Sequence, residues 1–240
     1  MKTKMKLLVF SAFVFMSGSL LAASINESIS KEEKFERKAN RTIIKSIQAL
    51  DNIMEDPDNY IPPSLIIQSE GIVILPDAFK LAVGVAGGQG ALGIAMIRTA
   101  NGTWSNPFFV SLGEGSLGLQ VGAQKSDIVL LFSDKNDLIE LEETELTLGG
   151  DVGVAAGPVS KGASAVTDIS FESEIYTYSL SKGLFAGVSF KGGVLTYNHR
   201  VNESLYCQDN VSTDEIIYGI ETPYNDNVVD LIDTINMYGE

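Results

Sequence analysis

Residues 81–110 read LAVGVAGGQGALGIAMIRTANGTWSNPFFV, and how this stretch divides decides the fold. β-Branched and small apolar residues at Val83 and Val85, then at Ile94 and Ile97, suit strands. The run Gly87-Gly88-Gln89-Gly90 between them supplies the positive φ values of a turn. Thr99 to Gly102 is a second turn, because Asn-Gly is a strong short hairpin signal. The expected local structure is a β-meander whose third strand begins near Phe108. Gly88-Gln89-Gly90-Ala91-Leu92-Gly93 also has the G-x-G-x-x-G spacing of a dinucleotide loop, which works only when a helix follows and offers its N-terminal amides to a pyrophosphate. Here Ile94-Ala95-Met96-Ile97 and another turn follow, and no acidic residue ends a second strand at the required distance. The glycines are therefore read as relief of crowding in a twisted sheet.

Toward the N-terminus, Ile72-Val73-Ile74-Leu75 is an apolar run bounded by Gly71 and Pro76, which predicts a buried strand. Asp56-Pro57 and Ile61-Pro62-Pro63 break the chain before it, and the second proline of that pair starts a short helix through Ser69. Upstream, Ser30 with Glu33 reads as a capping box, and Phe35, Ala39, Ile43, Ile47, Leu50 and Met54 recur at helical spacing. This predicts a helix from about Lys31 to Met54, basic in its first half and apolar in its second. Lys31, Lys34, Arg37, Lys38, Arg41 and Lys45 stand there against Glu32, Glu33 and Glu36, a local charge of +3. Such a face is drawn to anionic lipid or to an acidic protein surface, and the plain alternative is a solvated helix face packed on the domain.

Toward the C-terminus, Leu117–Gln124 and Ile128–Phe132 read as two strands around Lys125-Ser126, with Gly118 and Gly122 leaving space on one face. Asp137–Glu145 reads as a short acidic surface helix. Asp151–Ala156, Phe171–Leu180, Phe185–Lys191 and Val194–Tyr197 complete the strands, and Tyr176, Tyr178 and Leu180 alternate with Thr177, Ser179 and Ser181 in a half-buried pattern. Ser212–Tyr218, closed by Gly219, and a last short helix around Val228–Ile235 end the chain. The fold class is α+β: a mainly antiparallel, glycine-rich, twisted and barrel-like sheet with an N-terminal amphipathic helix and short C-terminal helices.

Lys2, Lys4 and Lys6 precede the apolar run Leu7–Met16, and Leu20-Leu21-Ala22-Ala23 offers a small-residue cleavage site, the pattern of a secretory signal peptide over residues 1–23. The run is short for a membrane anchor and is interrupted by Ser17-Gly18-Ser19. The only cysteine is Cys207, so a lipoprotein anchor at that site is excluded and no internal disulfide can form. Cleavage would move the formal charge from −14 to −17. That balance argues against nucleic acid and against simple adsorption of the whole molecule to anionic lipid. The organisation expected is a flexible start and basic helix over 24–49, one globular domain over 50–220 and a tail over 221–240.

Catalytic chemistry finds little support. The chain has one histidine, His199, which lies between Asn198 and Arg200 at the end of a strand and reads as a turn histidine, and one thiol, Cys207. Nothing around Cys207 is basic enough to favour a thiolate. No serine lies in a G-x-S-x-G elbow. Glu140, Glu142, Glu143 and Glu145 lack calcium-loop spacing with its central glycine and read as a solvated acidic face. No cofactor and no metal is expected, and a non-enzyme is the better class.

Gly102-Thr103-Trp104-Ser105-Asn106-Pro107-Phe108 resembles the G-x-W-S-x-P signature of the SYLF domain. Gly118-Leu119-Gln120-Val121-Gly122 followed by Asp127 resembles that family's G-x-Q-x-G strand. Tyr178-Ser179-Leu180-Ser181-Lys182-Gly183-Leu184-Phe185-Ala186-Gly187 is similar to its Y-S-x-S-x-G-L-F-A-G block. Leu148-Gly149-Gly150-Asp151 and Gly157-Pro158 fall between them in order, although Ser160 stands where the family often has a second glycine. The resemblance spans roughly Leu50 to Gly219. It implies a lipid-binding module, linked to actin regulation in eukaryotes, that uses an N-terminal amphipathic segment with the domain to bind phosphoinositides. The expectation is a non-enzymatic, exported lipid- or membrane-binding protein, periplasmic or secreted. Lys31, Lys34, Arg37, Lys38, Arg41 and Lys45 would contact headgroups while Phe35 and Ile43 supply apolar insertion, with Lys182 in the family block as a further candidate. The alternative is an envelope scaffold that binds other envelope proteins without lipid. Nucleic acid is not an expected partner, nor is actin in that compartment.

Overall fold

The glycine run at residues 87–90 does not turn the chain. It lies inside β1 (Gly71–Ile97), a single strand of 27 residues. The expected strand, turn and strand over this stretch is thereby corrected, and Ile72–Leu75 is only the beginning of the same strand. Its partner β2 (Phe108–Phe132), 25 residues long, likewise merges the two strands expected around Lys125-Ser126. Pairing is the physical reason. β2 runs antiparallel to β1 from Ala95 opposite Phe108 to Gly71 opposite Phe132, so the ladder satisfies backbone groups that a turn would have had to satisfy elsewhere. The one turn that does form in the stretch closes with Gly102 N–H donating to Thr99 O at 2.9 Å, with Gly102 at φ 80°.

A strand this long must bend, and the register breaks twice, between Leu75 and Ala78 and between Gly84 and Ala86. Such bulges sharpen the local twist. The first absorbs Pro76, which has no N–H for a regular ladder, and sets Asp77 in the left-handed region at φ 51°. The hairpin coils until the two ends of β1 meet. A Cβ on Gly93 would run into the Ile74 carbonyl, and Arg98 N–H donates to Glu70 O at 2.8 Å. The result is a nearly closed barrel.

The computed structural model describes residues 31–57, 60–158, 171–182, 193–219 and 225–239, and at 82–86, 116–122 and 182 the backbone alone. The expected signal peptide, the start before Ser30, the loop Ser160–Ala165 and the strand Phe185–Lys191 lie outside the described residues. The further strands are β3 (Leu146–Leu148), β4 (Val154–Ala156), β5 (Ile175–Lys182) and β6 (Gly193–Tyr197). The free edge of β2 is shared: β6 pairs antiparallel at Val110–Gly113 and β5 at Lys125–Phe132. β3 flanks β6 antiparallel, and β4 lies parallel to β5.

Period-two alternation divides the hydrophobic residues between two cores. Val73, Leu75, Phe108, Val110, Leu130 and Phe132 fill the barrel. Ile72, Ile74, Ile94, Met96, Phe109, Val129 and Leu131 face outward and are covered by helices. The helices are α1 (residues 31–54), α2 (Pro63–Gln68), α3 (Asn136–Ile139), α4 (His199–Tyr206) and α5 (Asp226–Tyr238). Ala39, Ile43, Leu50 and Ile53 of α1 share the outer core with Leu65 and Ile66 of α2 and Val228, Leu231 and Ile235 of α5.

Three local expectations change. His199 starts α4 rather than sitting in a turn, because Asn198 caps the helix by accepting from Val201 N–H at 3.2 Å. The acidic helix over Asp137–Glu145 is α3 followed by a 3₁₀ turn at Glu140–Glu142. The Ser212–Glu215 capping box forms, Glu215 N–H donating to Ser212 Oγ at 3.1 Å and Ser212 N–H to Glu215 Oε2 at 2.9 Å, but the turn continues as a π-helix over Glu215–Gly219.

Candidate functional site

Lys31, Lys34, Lys38, Arg41 and Lys45 follow one another at steps of three and four, which places them along one flank of α1. The adjoining sector carries Ala39, Thr42, Ile43, Ser46, Leu50 and Ile53, all buried; the membrane insertion expected of Ile43 is thereby corrected, since its side chain packs in the outer core, and Phe35 is partly buried against the same core. Packing of that sector turns the basic flank to solvent, and Lys31, Lys34, Arg37, Lys38 and Arg41 are exposed. Arg37 lies off the stripe with its guanidinium 3.3 Å from Glu33. Lys34, Lys38 and Arg41 have no carboxylate partner among the described residues. Lys182 is remote from this stripe in sequence and stands opposite Lys125 at the end of β5.

Lys45 ends the flank at a polar node on the barrel. Its ammonium pairs with Asp77, the residue that the Pro76 bulge turns toward α1. Asp77 N–H donates to Asp127 Oδ1 at 3.0 Å, and Asn52 of α1 donates to Asp127 Oδ2 at 3.3 Å. Asp127 is only 3% exposed, and a carboxylate so buried must find donors of this kind. Lys125 Nζ lies 3.9 Å from the other oxygen of Asp77. On its far side α1 is tied to α5, through Asn225 donating to Asn40 at 2.7 Å and Tyr238 Oη donating to Asp51 at 2.8 Å. Desolvation, with the Asp51 hydrogen bond adding, pushes the Tyr238 phenol up to about 12. Helix and flank are held in a fixed orientation on the barrel.

A groove of about 500 Å³ separates the first turns of α1 from α4, with Phe35 in its wall. Lys31 and Arg200 line it together with Glu32, Glu36, Glu203 and Asp209, and this acidic balance does not suit an anionic ligand. Cys207 borders the same groove, but His199 is eight residues away at the other end of α4, about 12 Å along the helix, so the two make no catalytic pair. Among the described residues no three His, Cys, Asp or Glu side chains stand where they could hold a metal ion. Glu142, one of the acidic run, accepts instead from Thr213 N–H at 2.8 Å.

The residues that carry the SYLF resemblance build the scaffold. Trp104 is buried under the Arg98 guanidinium, 4.3 Å from its ring centre, a cation–π contact. That guanidinium donates to Ser69 O at 3.1 Å, Ile66 O at 2.9 Å and Gly102 O at 2.9 Å, joining α2 to the β1–β2 turn. Ser105 Oγ accepts from Ile97 N–H at 3.1 Å, Asn106 donates to Ile216 O at 3.3 Å, and Pro107 O accepts from Tyr206 Oη at 2.6 Å. Tyr178 reaches Pro158 O at 3.2 Å over Gly157, where any Cβ would strike its ring. Asn202, which sequence reasoning passed over, is fully buried in α4. Its carboxamide accepts from Phe109 N–H at 2.7 Å and donates to Phe109 O at 3.1 Å, standing in for a strand residue beyond the end of β6.

Comparison with known proteins agrees with this picture. Residues 113–238 match the profile of the Ysc84 family, described as "Las17-binding protein actin regulator". SH3 domain-containing YSC84-like protein 1 of Xenopus laevis is 30% identical over 81% of this chain and 58% of its own length. The Homo sapiens protein of the same name is 29% identical over 90% of this chain and 62% of its own. Protein YSC84 of Saccharomyces cerevisiae is 30% identical over 81% of this chain and 42% of its own. The chain therefore spans about two-fifths to three-fifths of these relatives. With the signature blocks in place and more than half of its length within the profile, the chain belongs to the Ysc84 family, whose shared module is the SYLF domain.

Proposed function

We propose that this SYLF domain is a non-enzymatic binding module that docks on anionic membrane surfaces through the exposed flank of α1. The observation that carries the reading is the placement of Lys34, Lys38 and Arg41 side by side, without carboxylate partners among the described residues, on a chain of net charge −14. Like charges gathered on a rigid helix repel one another, and an anionic surface relieves that repulsion. Arg forks and Lys point charges both suit phosphate oxygens. With residues 1–23 read as a signal peptide, the mature chain is exported and meets membranes from the periplasm or from outside the cell. Among the described residues no helix is long and apolar enough to cross a membrane, and surface docking requires none.

The family description favours a second reading, in which the same flank meets an acidic protein surface. Flotation of the chain from Ser24 onward with neutral, anionic and phosphoinositide-containing vesicles, at low and high salt, separates the two. Salt-sensitive binding to anionic vesicles supports membrane docking, because screening shortens the reach of surface charge. Absence from every vesicle fraction sinks it and directs attention to pull-downs from envelope extracts.

A further inference from the structure

We propose that the outer face of β1 and β2 beyond α1, built on Phe79 and Leu81, is a ledge that inserts into the headgroup region of an anionic bilayer; the inference rests on the membrane reading of the α1 flank. Phe79 and Leu81 are 53% and 51% exposed. They are two residues apart on one strand and so project from the same side. Their exposure follows from register. From Gly71 to Leu75 the odd-numbered residues Val73 and Leu75 point into the barrel. The extra residue at the Pro76-Asp77 bulge exchanges the faces, so that Ala78 points in and Phe79 out. By Ala91 and Ala95 the odd-numbered residues point inward again. Phe79 and Leu81 lie between the two irregularities, and without the first bulge they would be core residues.

The surroundings name the occupant. Phe79 pairs across the sheet with Lys125 and Lys125 with Lys182, while Leu81 pairs with Ala123. One row is thus aromatic, lysine, lysine, and the next is leucine, alanine. Gly90 keeps room for the Phe79 ring, since a Cβ there would come within 3.2 Å of its edge. Lys125 and Lys45 both reach Asp77, which joins the ledge to the basic flank in one surface with an excess of positive charge. Apolar side chains set among lysines suit the boundary between phosphates and acyl chains, where the stem of a lysine lies along the apolar layer and its ammonium meets the phosphates. A second copy docked face to face would set Lys125 and the flank against their own like charges.

The test pairs a variant with a probe. Phe79→Ser with Leu81→Ser removes two half-exposed side chains, and losing their burial in lipid weakens vesicle partitioning by about tenfold. This loss persists at high salt, unlike a loss of flank charge. Leu81→Cys in a Cys207→Ser background, labelled with an environment-sensitive fluorophore, blue-shifts on adding anionic vesicles if the ledge inserts. Circular dichroism melts confirm that each form is folded. If the unaltered chain binds anionic vesicles while the double variant binds equally and the probe stays in water, the ledge is refuted and the flank reading stands. If the unaltered chain binds no vesicle, both fall. A dimer converted to a monomer by the double variant, with vesicle binding unchanged, also overturns the proposal and makes the ledge a contact between copies.

Discussion

Replacing Lys34, Lys38 and Arg41 together with alanine tests the α1 flank most directly. The geometry sorts the six candidate bases before any measurement. Arg37 is occupied with Glu33 and Lys45 with Asp77, and Lys31 borders the acidic groove. The remaining three each contribute about 1 kcal/mol when held near an anionic surface at moderate salt. Their joint removal therefore costs about 3 kcal/mol, roughly a hundredfold in partition coefficient. Alanine is the best helix former and the three sites are exposed, so folding stability should move by less than about 0.5 kcal/mol. The assay is titration with vesicles of graded anionic content, read by co-sedimentation, at low salt and at about 0.5 M salt, where the Debye length falls toward 4 Å. The expected result is a large loss at low salt and convergence of the two proteins at high salt. Lys45→Ala is the control: its ammonium is held against Asp77, so the prediction is weakened stability with little change in binding. A triple variant that binds within twofold of the parent at low salt would refute the reasoning, as would an equal loss at both salts.

Three further outcomes follow from the scaffold. Asn202→Ala leaves the buried Phe109 N–H without its side-chain acceptor and opens a cavity, at a cost of about 2–4 kcal/mol; the urea midpoint should fall by about 1 M or more with its slope unchanged, and a fall under 0.3 M would mean the strand edge is satisfied some other way. Gly93→Ala drives a methyl into the Ile74 carbonyl at the barrel seam and should destabilise by about 3 kcal/mol or more, whereas Gly90→Ala meets only the movable Phe79 ring and should cost far less. The Glu114 carboxyl has its Oε2 buried without a hydrogen-bond partner among the described residues, and desolvation raises its pKa, with Lys80 opposing. The folded state then holds this proton more tightly than the unfolded state, so stability from this group is present at low pH and is lost as pH rises from the unfolded toward the folded pKa. Glu114→Gln should raise the melting temperature at pH 8 more than at pH 4, and an equal change at both would contradict the assignment.

Legibility followed the range of the interaction. The α1 helix follows the period of Phe35, Ala39, Ile43 and Leu50, with the expected cap at Ser30 outside the described residues, and Pro63 opens α2 as its fixed φ suggests. Both signals act within a turn or two of helix. The signature block was legible as a family mark but not as a job. That Trp104 lies beneath Arg98, and that Arg98 gathers carbonyls from Ile66, Ser69 and Gly102, needs the turn and α2 brought together. α4 was missed because the Asn198 cap and the pair Val201 and Leu205 make a short signal beside a strand. The capping pair Ser212 and Glu215 announced a helix start correctly but carried no information about its π continuation.

The sequence by itself determined the α+β class, the basic flank of α1 and the family, because helical periods, caps and signature blocks are written in neighbouring residues. Only the tertiary structure decided that Gly87–Gly90 continues a strand and that the Pro76-Asp77 bulge turns Phe79 and Leu81 outward beside Lys125. Glycine admits turn and strand almost equally, so the choice passes to the partner strand. Here β2, far along the chain, pairs with β1 on both sides of the glycines and selects the extended form.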